Sequence, residues 1–178
     1  MRRQSRALSV LFLAAPACCA VSCDDDTKQQ STVRREGQPD YVRSNHEGTM
    51  GRAVAKAKET QGRLVAALAN PKPEYHGFAV KKPFQTPDGS DEHIWVIQAS
   101  WDGSAFHGVI DNEPVDTKAV KLGDRVSVRS EELSDWMYID GKRVVGGYTL
   151  RALHFEQSPE EQRAFIEQSG LEIPAIDF

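Results

Sequence analysis

Apolar residues recur at helical spacing over residues 50–70, which predicts a helix with one buried face. Thr49 is the expected N-cap, and Asn70-Pro71 ends the pattern. Near the other end of the chain, Ser158-Pro159-Glu160-Glu161 is typical of a helix start with a capping box, and Gly170 is the expected C-terminal cap. A further short helix is predicted over residues 148–155.

Between these helices the chain alternates between apolar and polar residues in short runs, which is the pattern of strands. The strongest run covers residues 93–101, and its odd-numbered residues share one face. Asp102-Gly103 is a turn signal, so residues 106–110 are expected to return as a hairpin partner. A shorter strand, residues 78–81, is expected to end before Pro83.

A second hairpin is predicted over residues 136–145, with Asp140-Gly141 as its turn. The two expected hairpin registers pair Trp101 with Phe106, Ala99 with Gly108, Ile97 with Ile110, Met137 with Val144 and Trp136 with Val145. The fold class that these elements predict is α+β. It has a strongly bent antiparallel sheet or a small barrel-like sheet, one N-terminal helix and C-terminal helices.

The first 22 residues have the three-part order of an export signal. Arg2, Arg3 and Arg6 form a positive segment, and an apolar stretch of about 15 residues follows. Such a stretch is short for a membrane-spanning helix, which needs roughly 20 apolar residues. We therefore expect residues 1–22 to be a signal peptide.

The end of this signal, residues 20–23, resembles the lipobox of bacterial lipoproteins, in which the chain is cut before a lipidated cysteine. The resemblance implies lipidation at Cys23, although Ala20 and Ser22 would also suit an ordinary signal peptidase. The polar residues 23–40 are then a lipidated flexible tether, and residues 41–178 form a single domain. Asp24, next to Cys23, resembles an inner-membrane retention signal of enterobacterial lipoproteins. Whether this signal acts depends on the organism, so the sequence leaves both the inner and the outer membrane open as the location.

Cysteine content and charge narrow the functions that are possible. All three cysteines lie at or before position 23, so a chain cut there has no intramolecular disulfide and no thiolate metal site. Removal of the three arginines of the signal leaves 19 basic residues against 26 acidic residues, a net charge of −7. This charge disfavours nucleic acid as a partner, and it means that the lipid rather than a basic patch would hold the protein at a membrane.

Five short motifs occur in a characteristic order and spacing: residues 92–95, 108–114, 123–126, 135–137 and 146–149. In this order the chain resembles the YegJ-like family of bacterial proteins, domain of unknown function 2314. The resemblance covers about residues 41 to 170. The family has no established activity, so the resemblance supplies no catalytic residues.

Seven polar or aromatic residues are candidates for a site. Glu92 and His93, at the start of the strongest strand, could act as a general acid and base, with Asp135 as a third catalytic candidate. The alternative interpretation is structural, with His93 hydrogen-bonded at the sheet edge, Trp136 in the core and Asp135 capping a turn. The ligand-binding candidates are Trp95, Asn112, Trp136 and Arg151. No metal-ligand spacing, phosphate-binding loop or dinucleotide fingerprint occurs, so we expect no metal and no cofactor.

The sequence predicts a lipid-anchored domain of the bacterial cell envelope that faces the periplasm or the exterior. Because catalytic motifs are absent, its expected function is non-catalytic binding of an envelope protein, a peptide or a glycan. The expected partners are therefore that ligand and a membrane, held through the lipid on Cys23. The alternatives are an envelope hydrolase that uses Glu92, His93 and Asp135, and an inhibitor or immunity-type protein.

Overall fold

The computed structural model describes residues 31–33, 41–43 and 48–178. The chain divides into two compact units, Met1–Asn45 and His46–Phe178. In the first unit, strands β1 (Ser31–Val33) and β2 (Tyr41–Arg43) form an antiparallel pair. Strand β1 lies within the segment for which the sequence predicted no secondary structure. The predicted signal peptide and Cys23 lie outside the described residues.

The second unit is an α+β domain with one six-stranded antiparallel sheet, as the sequence predicts. Its elements are α1 (Thr49–Thr60), α2 (Gly62–Ala69), β3 (Tyr75–Gln85), β4 (Asp91–Trp101), β5 (Ala105–Ile110), β6 (Arg125–Arg129), a 3₁₀ turn (Ser130–Glu132), β7 (Asp135–Asp140), β8 (Arg143–Gly146), α3 (Tyr148–Glu156) and α4 (Pro159–Ser169). The strand order is β6-β5-β4-β3-β7-β8, so β6 and β8 are edges and the sheet does not close into a barrel. Among the described helices, none has the length and hydropathy needed to cross a membrane.

One face of the sheet packs against helices α1 and α2 to form the core. Trp136 on β7 is fully buried at this interface, and its indole N–H donates to the backbone oxygen of Ala57 in α1 at 2.9 Å. Side chains from the other strands complete the core, among them Val80, Ile94, Val96, Phe106, Ile110 and Val128. The opposite face of β4, β5 and β6, called the outer face below, carries their half-buried and exposed side chains.

The prediction of one continuous helix over residues 50–70 was wrong. The helix breaks at Gln61, and α2 begins at Gly62, a residue with low helix propensity. Just before the break, the Thr60 hydroxyl donates to the Lys56 backbone oxygen at 2.7 Å, a bond that is associated with bent helices. The N-cap is Gly48 rather than Thr49.

Strand β3 is longer than predicted and continues through Pro83, which lies opposite His93 of β4. The neighbouring strand β7 pairs with β3 only as far as Lys81. Pro83 therefore lies beyond the last β7 pair, and its missing N–H leaves no ladder bond unmade on that side. This is why a proline is tolerated in a strand at the centre of the sheet.

The first hairpin confirms the pair Trp101–Phe106, but the predicted pair Ile97–Ile110 was wrong. Ile97 lies opposite Val109, so the two residues Gln98 and Ala99 together face Gly108 in a β-bulge. Gln98 has a φ of 55°, and it is the only described residue other than glycine with positive φ. The bulge moves the core-facing positions of β4 from even to odd numbers, which regular alternation could not predict.

The second hairpin register was also wrong, by two residues. Asp140 pairs with Arg143, so the turn is Gly141-Lys142 and Met137 lies opposite Gly146. Gly141 has a φ of 62°, a conformation that favours glycine at the first central position of a tight turn.

The C-terminal helices agree with the predictions. Helix α4 begins with the predicted capping box: the Glu161 N–H donates to the Ser158 hydroxyl oxygen, and the Ser158 N–H donates to the Glu161 carboxylate at 2.9 Å. It ends at Gly170 in the left-handed conformation. Helix α3 lies where the short helix was expected, one residue longer at its C-terminal end.

Candidate functional site

A groove of about 370 Å³ lies on the outer face of the sheet, beside the bulge in β4. It is lined by Gln98, Ser100, His107, Gly108, Val109, Arg125, Val126 and Ser127. Gly108 is required here, because a Cβ atom at this position would lie 2.4 Å from the Ile97 backbone oxygen. Bulges with strained backbone are common beside functional sites, which makes this groove the candidate site.

Three polar side chains at the groove form a continuous hydrogen-bonded relay. His107 Nε2 lies 2.6 Å from Asp102 Oδ2, and His107 Nδ1 lies 2.9 Å from Ser127 Oγ. His107 and Ser127 are directly paired across β5 and β6, which places both side chains on one face. We call this set the Asp102–His107–Ser127 relay.

The carboxylate of Asp102 is held in a fixed orientation by the turn that follows it. Its Oδ1 atom accepts hydrogen bonds from the backbone N–H groups of Ser104 and Ala105 at 2.7 and 2.9 Å, and from the Ser104 hydroxyl at 2.8 Å. The His107 hydrogen bond and these donors hold the pKa of Asp102 well below its usual range. Asp102 is therefore an ionised acceptor at neutral pH.

An ionised Asp102 determines which tautomer of neutral His107 forms. A carboxylate only accepts hydrogen bonds, so Nε2 must carry the proton that it donates to Asp102. Nδ1 is then unprotonated and accepts the hydroxyl proton of Ser127. The imidazole and carboxylate side chains are 43% and 48% exposed, so a ligand in the groove can reach the relay.

Sequence reasoning missed this relay. Asp102 and His107 are five residues apart across a tight turn, a signal that was readable in the sequence. Ser127 comes from β6, which joins β5 only after a loop of 14 residues, so its position depends on a register that the sequence did not predict.

The structure places Glu92, a catalytic candidate, on the core face of β4, where it is 8% exposed. Its carboxylate accepts three backbone N–H bonds, from Val115, Asp116 and Thr117, at 2.8 to 2.9 Å. These bonds hold the loop after β5 against the sheet. They also occupy the carboxylate oxygens that an acid or base would need.

Asp135, the other carboxylate candidate, is fully buried beside the start of α3. Oδ1 accepts from the N–H groups of Trp136 and Tyr148 at 2.8 and 3.1 Å, and Oδ2 accepts from the N–H and hydroxyl of Thr149 at 2.8 and 2.6 Å. Burial raises the pKa of Asp135, and the Thr149 bonds and the charge of Lys81 oppose that rise. Burial lowers the pKa of Lys81, which lies directly opposite Asp135.

Glu92, His93 and Asp135 are not brought together. Trp95, Lys81 and Asp135 lie opposite one another across three strands and therefore share a face, whereas Glu92 points to the other face. The imidazole of His93, next to Glu92 in the strand, contacts the Ser134 hydroxyl at 2.9 Å. The two carboxylates thus lie on opposite sides of the sheet and cannot share one substrate.

The four ligand-binding candidates have different environments. Trp136 is in the core, and Trp95 is half-buried with the Lys81 ammonium 5.3 Å from its ring centroid. Asn112 is exposed in the loop after β5. Arg151 is 5% exposed and binds the C-terminal segment through the backbone oxygens of Pro174 and Ala175 and the carboxylate of Asp177. None of the four lines the groove.

No group of three or more histidine, cysteine or carboxylate side chains within the described ranges is arranged to hold a metal ion. The Asp102–His107–Ser127 relay contains one carboxylate and one imidazole, fewer protein ligands than the usual catalytic zinc site has. The groove is lined by side chains that can form hydrogen bonds, among them Gln98, His107 and Ser127.

The fold and the groove define a class: an α+β domain with an open antiparallel sheet, helices α1 and α2 on one face and a polar groove on the other. The chain belongs to the family described as uncharacterized protein conserved in bacteria (DUF2314), whose sequence model matches residues 47–173. This result confirms the resemblance found in the sequence.

Two relatives show how far the similarity extends. The chain is 32% identical over 112 residues to the uncharacterized protein YegJ of Escherichia coli K12, a match that covers 63% of this chain and 71% of that protein. It is 36% identical over 87 residues to the putative ankyrin repeat protein NMB1133/NMB1171 of Neisseria meningitidis serogroup B, covering 47% of this chain and 34% of that protein. No solved structure matches the chain.

Proposed function

We propose that this protein is a lipid-anchored component of the bacterial cell envelope whose domain binds a peptide, a glycan or another envelope protein in the outer-face groove. The observation that carries the binding role is the groove itself, with its bulge, its strained Gln98 and its exposed polar lining. Maintaining a positive φ at a glutamine costs of order 1 kcal/mol or more, so the bulge is expected to have a functional reason.

The arrangement of the carboxylates supports binding over hydrolysis at the residues that the sequence indicated. Glu92 and Asp135 accept three and four hydrogen bonds and hold a loop and a helix in place. Their oxygens are already occupied, so neither is available to transfer a proton to a ligand.

The envelope location rests on the sequence of the first 23 residues. An apolar stretch with preceding arginines, followed by Ser22-Cys23, supports export and lipidation at Cys23. A net charge of −7 after cleavage gives no electrostatic attraction to an anionic membrane, so the acyl chains would supply the attachment.

The anchor is tested by mass spectrometry of the purified N-terminus and by fractionation of the variant Cys23→Ser. We expect a mature chain that begins at Cys23 and carries acyl chains, and we expect Cys23→Ser to leave the membrane fraction. A double Cys18→Ser, Cys19→Ser variant is the matched control and should remain in that fraction. Recovery of an unacylated chain that retains Met1 would overturn the anchor.

The binding role is tested by photo-crosslinking in living cells. A photoreactive amino acid at Arg125, which is exposed and lines the groove, should form a discrete adduct with a partner. The same amino acid at Ala55, which is exposed on α1, is the control and should form none. Equal adducts at both positions, or none at Arg125, would contradict binding in the groove.

A second candidate function, hydrolysis by a serine nucleophile, has one observation in its favour. The Asp102–His107–Ser127 relay has the order of groups that activates a serine nucleophile, at a different place from the predicted catalytic residues.

A further inference from the structure

We propose that Ser127 is a nucleophile and that the outer-face groove hydrolyses small esters, with His107 as the base and Asp102 as a positioning residue. This inference goes beyond the proposed binding role and does not depend on it. It rests on the two hydrogen bonds of the relay and on the groove into which the serine opens.

The order of the three groups is what serine activation requires. A nucleophile needs a base within hydrogen-bond reach, and the base needs a third group that orients it. Ser127 Oγ is 2.9 Å from His107 Nδ1, and Asp102 is 2.6 Å from the other ring nitrogen. Either imidazole nitrogen can act as the base when the other carries the proton, so the use of Nδ1 is chemically sufficient.

The position of the relay gives a substrate access to it. Ser127 is exposed on the edge strand β6, and the groove of about 370 Å³ is large enough for a small ester. Arg125 is two residues from Ser127 on the same face of β6 and lines the same groove. Its guanidinium supplies positive charge for the oxyanion that forms during attack.

The first half of the reaction forms an acyl-enzyme. The Ser127 oxygen bonds to the carbonyl carbon, and its proton moves to His107 Nδ1. The bond from that carbon to the alcohol oxygen then breaks, and the alcohol leaves with the proton from Nδ1. Asp102 stays ionised and stabilises the imidazolium through Nε2.

In the second half, water replaces the serine. The water oxygen bonds to the acyl carbon while one water proton moves to Nδ1, and the Ser127 oxygen leaves and takes that proton back. The products are one carboxylic acid and one alcohol from one ester and one water. No oxidant, reductant or cofactor enters the balance.

The test uses the full-length chain purified in detergent and a fluorophosphonate probe. Ser127 would attack the phosphorus, and fluoride would leave, so the adduct can be located on Ser127 by peptide mass spectrometry. We expect Ser127→Ala to abolish the adduct and His107→Gln to slow it by at least roughly 100-fold, the usual contribution of a general base. Hydrolysis of p-nitrophenyl acetate should fall in parallel.

Ser130→Ala is the matched control, because Ser130 follows β6 in the 3₁₀ turn and does not line the groove. It should keep the labelling rate within about twofold, which corresponds to about 0.4 kcal/mol in activation free energy. Asp102→Asn tests the positioning role: it should slow labelling and change the pH profile of the remaining rate, while a purely structural role would leave the profile's shape unchanged.

Two results would overturn this proposal. One is an adduct on Ser127 that forms no faster than on other exposed serines, and the other is full esterase activity in Ser127→Ala. Thermal unfolding of every variant shows that the comparison is made on folded protein. The photo-crosslinking at Arg125 does not use Ser127 chemistry, so failure of the nucleophile and failure of the binding role can be told apart.

Discussion

The carboxylate of Asp135 accepts both the backbone N–H and the hydroxyl of Thr149, at 2.8 and 2.6 Å, inside the protein. Thr149 lies in the first turn of α3, so this contact joins strand β7 to the positive end of a helix. The same carboxylate also accepts two more N–H bonds. Asp135 is therefore a helix-capping residue that connects two elements of the domain.

We expect Asp135→Asn to lower the free energy of unfolding by about 2–4 kcal/mol. An amide keeps one acceptor oxygen and turns an NH₂ group toward buried donors, which leaves polar groups unsatisfied. Urea denaturation followed by circular dichroism measures the change. Asp91→Asn, at an exposed position on β4, should change stability by less than about 0.5 kcal/mol. Equal stability of the two variants would refute the capping role.

The Glu92 carboxylate gives a second prediction. Glu92→Gln should destabilise the domain by about 1–3 kcal/mol, because three N–H donors lose their charged acceptor. Amide hydrogen exchange should accelerate at Val115, Asp116 and Thr117 before it accelerates elsewhere. The exposed Glu113→Gln is the control. Unchanged exchange at those three amides would show that the hydrogen bonds do not hold the loop.

Gly146 should tolerate no side chain. It has a φ of 76°, and a Cβ atom would lie 2.3 Å from the Trp136 backbone oxygen and 2.7 Å from the Trp136 ring. Gly146→Ala should cost roughly 2–4 kcal/mol, from backbone strain of about 1–2 kcal/mol plus overpacking against the indole.

Gly123→Ala separates these two contributions. Gly123 also has positive φ, at 86°, but no atom lies within 4 Å of the position its Cβ would take. Gly123→Ala should therefore lower the free energy of unfolding only by the cost of backbone strain, about 1–2 kcal/mol. Chemical denaturation of both variants gives the difference, and equal losses would mean that the contact with Trp136 is unimportant.

His154 gives a pH dependence with a definite sign. It is 4% exposed, and burial lowers its pKa from 6.5, so the folded state takes up a proton at lower pH than the unfolded state does. Below pH 6.5 the unfolded chain is protonated first, and stability is therefore lost as pH falls toward the lowered pKa. The slope from this one group is at most about 1.4 kcal/mol per pH unit.

His154→Phe should flatten this part of the stability curve, because the aromatic packing against Phe155 and Phe165 is kept while the titrating group is removed. Asn112→Ala, which removes an exposed side chain that does not titrate, is the control and should leave the slope as it is in the parent. Denaturation between pH 5 and pH 7.5 makes the comparison. A slope that survives in His154→Phe would assign the pH dependence to other groups.

The sequence predicted the parts of the fold that depend on neighbouring residues. The Ser158–Glu161 capping box and the Gly170 end of α4 are local features, and both are confirmed. The bulge at Gln98 is not local: the odd-numbered residues of 93–101 were expected to share one face, and only the packing of β4 against its neighbours shows where the extra residue lies. The predicted register of the second hairpin was wrong because the turn is Gly141-Lys142 and not Asp140-Gly141.

The candidate site was less predictable for a related reason. Glu92 and Asp135 were identified as polar groups near strand starts, but all except one of the amides that they bind lie 13 to 25 residues further along the chain. A carboxylate that holds a loop and a carboxylate that catalyses look the same in sequence until those amides are placed. The relay of Asp102, His107 and Ser127 needs three elements in the correct register, and that register came only from the structure.

The bulge also has an evolutionary consequence. Loss of the single codon for Gln98 would restore continuous alternation along β4 and keep Ile94, Val96 and Ala99 on the buried side. The core would survive such a deletion, but β4 and β5 would pair without a bulge and the groove beside Gly108 would close. One codon therefore separates a flat sheet surface from one that can accept a ligand. The presence or absence of that residue in natural variants would show which of them retain the site.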